Sequence, residues 1–279
     1  MITSLKNEKI KLIRSVMTNR RRRTQEGVFF IEGVHAVTAA YEEGWKIRWL
    51  IYDPATVQTG WAWQIIARTP PEARLEVSTY VLEQLSDRSS PSELLAIVVQ
   101  RPDDLARLPV EEDLLMLLLD RPHNPGNLGS MIRSADALGA QGVIITGHAA
   151  DIYDPKTVRA SMGSLFVKSA VAVQRHEVLE AWLAEVRAKL GRLQVVATSA
   201  HVDTPLYEHD LTGPTILAIG NEAAGISSYF EALCDHLVTI PMSPEVATSL
   251  NASVAASIFL YEASRQRAQQ KGYGKGERG

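Results

Sequence analysis

The sequence has one cysteine, Cys234, which leaves no partner for an intramolecular disulfide and no set of thiolates for a metal cluster. Its seven histidines are scattered without the spacing of a metal site, so no metal is expected. Long apolar runs are missing too. The longest beside a strand, 114–119, falls far short of the roughly 20 residues a membrane helix requires. Residues 1–12 carry four lysines or glutamates where a secretory signal would be apolar. These absences argue against a membrane-spanning chain or a disulfide scaffold and lead us to expect a cytoplasmic protein. An overall basic balance is absent as well, since the formal net charge is −3.

What is present is ordinary globular composition, 46% hydrophobic and 22% charged, in a chain of 279 residues that suffices for two domains. The charge is unevenly placed. Residues 1–23 hold Lys6, Lys9, Lys11, Arg14 and the run Arg20, Arg21, Arg22 and Arg23 against Glu8 alone, a positive patch suited to phosphates. Spacing of apolar residues predicts helices at 9–17, 34–43 and 79–85 and strands at 27–31, 47–52 and 94–99, a small α/β domain over 1–100. The charged, proline-containing stretch 101–112 reads as a linker. From 113 the alternation is more regular, with strands at 114–119, 142–145, 171–173, 194–198, 215–219 and 236–240. Helices are expected between them at 129–138, 177–190 and 227–233, and a last one at 249–269, which implies a parallel sheet flanked by helices over 113–268. Residues 269–279 read as a disordered tail.

Ligands of open α/β sheets gather where strands end, so polar islands at those points matter most. The first island follows the strand 114–119 and contains Asn127, Gly129 and Arg133 in the spacing Asn-x-Gly-x-x-x-Arg, with His123 beside it. It does not make the GxGxxG of a dinucleotide fold. The second follows 215–219 and contains Gly220, Glu222 and Gly225; without a Lys-Ser/Thr ending it is no phosphate-binding P-loop. The third runs from Ile240 and Met242 to Thr248, Ser249, Leu250 and Asn251. Any of Thr248, Ser249 and Asn251 can cap the last helix, and with that helix starting at 249, Asn251 falls inside its first turn, where asparagine propensity is mediocre.

In this order the islands resemble the SpoU class of the SPOUT methyltransferase superfamily, whose motifs read roughly Asn-x-Gly-x-x-x-Arg, Gly-x-Glu-x-x-Gly and Ile-Pro-Met followed by Ser-Leu-Asn. Arg159-Ala-Ser-Met-Gly163 is similar to a further segment of that family, and 1–100 to the RNA substrate-binding domain that precedes its catalytic domain in ribosomal-RNA members. Ala223 and Pro244 stand where the family commonly has glycine. The resemblance implies a C-terminal trefoil knot, a homodimer through the catalytic domain, and S-adenosylmethionine held by Thr198, Gly220, Ile240, Met242 and Leu250. It implies methylation of a ribose 2′-hydroxyl, with Asn127, Arg133, Glu222, Ser249 and Asn251 as the catalytic set and Arg20, Arg21, Arg22 and Arg23 on RNA.

The family proposal makes the arginine a general base, yet a guanidinium with a pKa above about 12 stays protonated. We therefore expect Arg133 to grip a phosphate and stabilise the developing alkoxide. Ribosomal RNA is the favoured substrate, with transfer RNA second. A methyltransferase acting on a base and a non-catalytic RNA-binding protein of the same fold are the rival readings.

Overall fold

The computed structural model describes residues 1–199, 202–243 and 249–272. In chain order they form α1 (Glu8–Thr18), α2 (Arg20–Glu26), β1 (Val28–Glu32), α3 (Val34–Glu42), β2 (Ile47–Tyr52), α4 (Gly60–Arg68), β3 (Arg74–Glu76), α5 (Thr79–Leu85) and β4 (Leu95–Val99). There follow β5 (Leu115–Asp120), α6 (Pro125–Ala137), β6 (Gly142–Thr146), α7 (Pro155–Ala160), α8 (Ser164–Val167), β7 (Ser169–Val173), α9 (His176–Leu190) and β8 (Gln194–Thr198). The described chain closes with β9 (Thr215–Ile219), α10 (Ser228–Leu233), β10 (His236–Val238) and α11 (Ala252–Gln270). Residues 273–279, most of the expected tail, lie outside the described residues, as do Pro244 and Thr248. No helix among the described residues is long and apolar enough to cross a membrane.

Two compact units result, and each is discontinuous or interrupted in sequence: 1–102 with 151–167, and 103–150 with 168–279. The first has a four-stranded sheet in the order β1-β4-β2-β3, antiparallel except for the β2–β3 pair. Its core includes Ile10, Ile13 and Val16, one face of α1 at spacings of three, so the amphipathic period of that helix is what seats it. The second unit has six parallel strands in the order β10-β8-β9-β5-β6-β7. β5, Leu-Met-Leu-Leu-Leu-Asp, is buried at every position, as a central parallel strand covered on both faces must be.

Two stretches behave differently from the sequence-based expectation. Within 101–112, Leu105 and Leu108 are buried in the core of the second unit, so this segment packs instead of merely connecting. The segment 151–167 belongs to the first unit. Phe166 stacks on Phe29 with ring centroids 6.0 Å apart, and the Trp45 indole N–H donates to the Phe166 carbonyl at 3.0 Å.

The arginine run also needs correction. Arg20, Arg21 and Arg22 open α2, with Asn19 as its cap, but Arg23 is only 2% exposed. Its Nε donates to Asp151 at 2.7 Å and its terminal nitrogens to Asp154 at 3.3 Å and to the Val16 and Met17 carbonyls at 2.9 and 3.1 Å. A guanidinium so engaged is unavailable to RNA. A buried charge is tolerated because its partners neutralise it and because it collects carbonyls left unpaired near the end of α1. Burial first, then Asp235 and Glu231, pushes the half-buried Cys234 thiol up to about 12, which leaves it protonated and inert.

Replacing Arg23 by alanine would leave Asp151 and Asp154 without their cation. We expect a loss of about 3 kcal/mol in urea unfolding, whereas Arg21→Ala should change stability by less than about 0.5 kcal/mol.

Candidate functional site

All three islands meet in the second unit, after the C-terminal ends of β5, β9 and β10. The first begins at Asp120, the last residue of β5, which is 1% exposed. Its carboxylate accepts from Arg121 Nε at 2.9 Å and Nη2 at 3.0 Å, and from the Ser227 backbone N–H at 2.7 Å. That last bond ties the end of one island to the far end of the second, and the Ser227 hydroxyl in turn caps α10. The helix after β5 starts at Pro125, four residues earlier than the spacing suggested. Asn124 accepts from the Gly126 and Asn127 N–H groups at 2.8 and 3.1 Å, and Pro125 takes the first helical position, where no N–H is needed.

Asn127 therefore lies on the first turn of α6, and its amide faces Glu222. The Glu222 carboxylate accepts from Asn127 Nδ2 at 3.0 Å and from the backbone N–H groups of His123 at 3.2 Å and Asn124 at 3.4 Å. Asn127 Oδ1 accepts from Asn251 Nδ2 at 3.2 Å. One residue from each island thus forms a single hydrogen-bonded chain, Glu222 to Asn127 to Asn251. Burial alone would raise the Glu222 pKa, but the Asn127 amide and the backbone donors outweigh it and hold the carboxyl below its ordinary value.

Asn251 has a second task. α11 begins at Ala252, not at 249, so Asn251 is the helix cap itself and its Oδ1 accepts from the Ser253 N–H at 2.9 Å. The asparagine that looked misplaced inside a helix is the residue that starts it. Arg133 and Ser249 stand outside this chain. Arg133 is exposed on α6, and its guanidinium has no hydrogen bond or ion pair among the described residues. Ser249 lines a neighbouring cavity.

That cavity, about 540 Å³, is lined by Thr198, Gly220, Ile240, Met242 and Leu250, the five residues singled out for a cofactor. Glu222 and Glu231 also border it. Its floor is the turn 221–225, closed by reciprocal backbone bonds between Asn221 and Gly225 of 2.9 Å each. Asn221 holds the turn from within: Oδ1 accepts from the Ala223 and Ala224 N–H groups at 2.9 and 3.0 Å, and Nδ2 donates to the Arg121 carbonyl at 2.8 Å. Gly220 is required here, because a Cβ would lie 2.2 Å from the Gly225 carbonyl carbon and the Ile226 nitrogen. Ala223 sits without strain, since the positive φ of the turn falls on Gly225. Sequence reasoning passed over Asp120 and Asn221; an aspartate ending a wholly apolar strand was the available signal for the first.

A profile of the SpoU rRNA Methylase family matches residues 114–261, and one of the MRM3-like substrate binding domain matches 7–96. The 23S rRNA (uridine(2479)-2′-O)-methyltransferase of Streptomyces viridochromogenes is 44% identical over 267 residues, which cover 95% of this chain and 92% of that protein. The chain belongs to the SpoU family. The crystal structure of the SpoU methyltransferase AviRb from Streptomyces viridochromogenes in complex with AdoMet is similar at a TM-score of 0.89 and 43% identity, over 94% of this chain and 98% of that one. An AdoMet-bound rRNA methyltransferase from Sinorhizobium meliloti is similar at 0.84 and 32%, over 95% and 97%. The SpoU fold, a parallel sheet between helices, is the fold described above. The trefoil knot stays an implication of the resemblance, because 244–248 lie outside the described residues.

A carboxyl with a lowered folded pKa adds stability above the ordinary glutamate value near 4.3 and loses it as pH falls through the folded value. In carbon-detected NMR titration we expect the Glu222 carboxyl to have its midpoint below about 4.3, and Asn127→Ala to move that midpoint upward.

Proposed function

We propose that this chain transfers a methyl group from S-adenosylmethionine to a ribose 2′-hydroxyl of RNA, with 23S-type ribosomal RNA as substrate. The observation that carries the reading is the junction of the three islands beside a cavity of small-molecule size. Its support for ribosomal RNA is the activity of the Streptomyces viridochromogenes relative, a 23S rRNA 2′-O-methyltransferase. A cytoplasmic site of action and a homodimer through the second unit are part of the same proposal. Val254 and Tyr261, seven residues apart on α11, are 46% and 59% exposed and offer an apolar face for the second copy. The dimer should elute at about twice the 30.7 kDa of one chain in light-scattering chromatography.

The cavity suits the cofactor. Ile240, Met242 and Leu250 would supply apolar walls for an adenine, and Glu222 and Glu231, which border the same cavity, would supply negative charge suited to a sulfonium. When bound, S-adenosylmethionine supplies an electrophilic methyl group that needs no metal activation. The rest is positioning. Glu222 does not act as a free carboxylate: its oxygens are committed to Asn127 and to the 123–124 backbone, and so it fixes the first island against the second. Asn127 and Asn251, aligned by that bond, present amides toward the ribose. The Arg133 guanidinium grips the phosphate beside the target nucleotide and stabilises the alkoxide as the hydroxyl proton passes to water and the oxygen takes the methyl group.

Calorimetric titration with S-adenosylhomocysteine should show one site per chain, and Gly220→Ala should abolish it by breaking the 221–225 turn. Absence of binding to the unaltered protein would favour an RNA-binding protein of the same fold. Arg133→Ala should reduce methylation by at least a hundredfold, about the loss of one preorganised transition-state donor, while cofactor affinity stays within a few-fold.

A further inference from the structure

Among the described residues every cation–π pair lies on one of three rings, Tyr41, Trp45 and Trp49, all within nine residues of the first unit. Lys9 Nζ and the Arg48 guanidinium lie 5.4 and 4.7 Å from the Trp49 ring centre, Arg68 lies 5.8 Å from Tyr41, and Arg101 lies 4.2 Å from Trp45. Beside them is a cavity of about 710 Å³ lined by Tyr41, Trp45, Lys46, Arg48 and Glu26. Neither the cavity nor these cations take part in the site described above.

The backbone is shaped to present this group. β2 pairs with β4, but the register shifts between Ile47 and Trp49, which makes Arg48 the extra residue of a bulge. Bulges bend a strand and re-aim the side chain they carry. The result is visible in burial: Ile47, Arg48 and Trp49 are half-buried, whereas Leu50, Ile51 and Tyr52 are buried. Glu26 accepts from Arg48 at 3.1 Å and from Arg22 at 3.2 Å, so one carboxylate orients two guanidiniums and leaves the group positive.

Charge is partitioned between the units in the same sense. The first has 16 lysines and arginines against 13 aspartates and glutamates, a balance of +3; the second has 13 against 19, a balance of −6. The modest overall charge hides an anion-attracting half.

Trp45 is buried, but Tyr41 and Trp49 are half-exposed with cations beside them, and charges beside an accessible ring are what single-stranded nucleic acid requires: phosphates meet the charges and bases stack on the ring. A protein partner of acidic character would satisfy the lysines and arginines but would make no use of the half-exposed face of Trp49. Resting on the reading of RNA as substrate, we propose that the face made by Lys9, Arg22, Lys46, Arg48 and Trp49, with its adjoining cavity, docks a single-stranded segment of the substrate RNA. This face replaces the arginine run as the RNA contact: Arg22 belongs to it through Glu26, and Arg23 does not.

The test uses the full chain and a fluorescein-labelled 12-nucleotide single-stranded RNA, with anisotropy read over a range of salt concentrations. K46E/R48E, one exposed and one half-buried position, should weaken binding at least tenfold and flatten the slope of log affinity against log salt by roughly 1.4, two phosphate contacts at about 0.7 each. Trp49→Leu keeps an apolar residue against the core and should cost about tenfold through lost stacking. S-adenosylhomocysteine binding should be unchanged in both. Variants that bind RNA with unaltered affinity and slope overturn this face but leave RNA as substrate. An unaltered protein that binds the cofactor product but no RNA overturns both. Equal affinity for a duplex of the same sequence overturns the single-strand assignment.

Discussion

A carboxylate can accept several hydrogen bonds, and at Glu222 they arrive from different parts of the chain. Two come from the backbone at His123 and Asn124, ahead of α6, and a third from the Asn127 amide on its first turn. Through Asn127 the same chain reaches Asn251, the residue that starts α11. Three loops that leave different strands are thereby held in one arrangement, and the helices behind them inherit it. Removing the carboxylate would not merely delete a charge; it would free two helix entrances at once. This is why a residue at the mouth of the site is held ionised by donors even though burial opposes its charge.

Support for that arrangement comes from guanidinium groups used as backbone glue. Arg267, near the end of α11, donates to the carbonyls of Leu211, Asp113, Leu114 and Gly213 at 2.6–3.0 Å, which fastens the helix to the entrances of β5 and β9. Arg23 does the equivalent in the first unit with two carbonyls and two carboxylates. In each case the planar fork of the guanidinium gathers several acceptors from separate stretches of chain. Ser134 and Ser257, 2.8 Å apart, add a small polar contact between α6 and α11 that lets the two helix surfaces approach closely.

Much of the second unit was readable in advance because parallel strands buried on both faces leave unbroken apolar runs such as 115–119, and the polar residues that interrupt them mark the strand ends. Asn127, Glu222 and Asn251 were found on that ground, and the structure bonds them together. The helix starts were misread for a local reason. Asn124-Pro125 and Asn251 are caps, and periodicity registers apolar faces, not the capping residues before them. The arginine run illustrates a harder limit. Four consecutive identical residues on α2 point in four directions, and only the fold decides that the fourth is buried against Asp151 and Asp154, more than 120 positions away. Asn221 was invisible because its work is to hold a turn whose shape no spacing rule describes.

The excursion of 151–167 out of the second unit bears on how such a protein can be taken apart or recombined. Three peptide junctions, at 102–103, 150–151 and 167–168, join the two units where a simple fusion would have one. A break after 102 would strip Phe29 of Tyr153 and Phe166 and Arg23 of both its carboxylates. The remaining fragment would expose those same aromatic rings to water. The units are therefore separate as packed bodies but inseparable as genetic modules, and an exchange of substrate-recognition halves between relatives would have to carry the internal segment along with the N-terminal one.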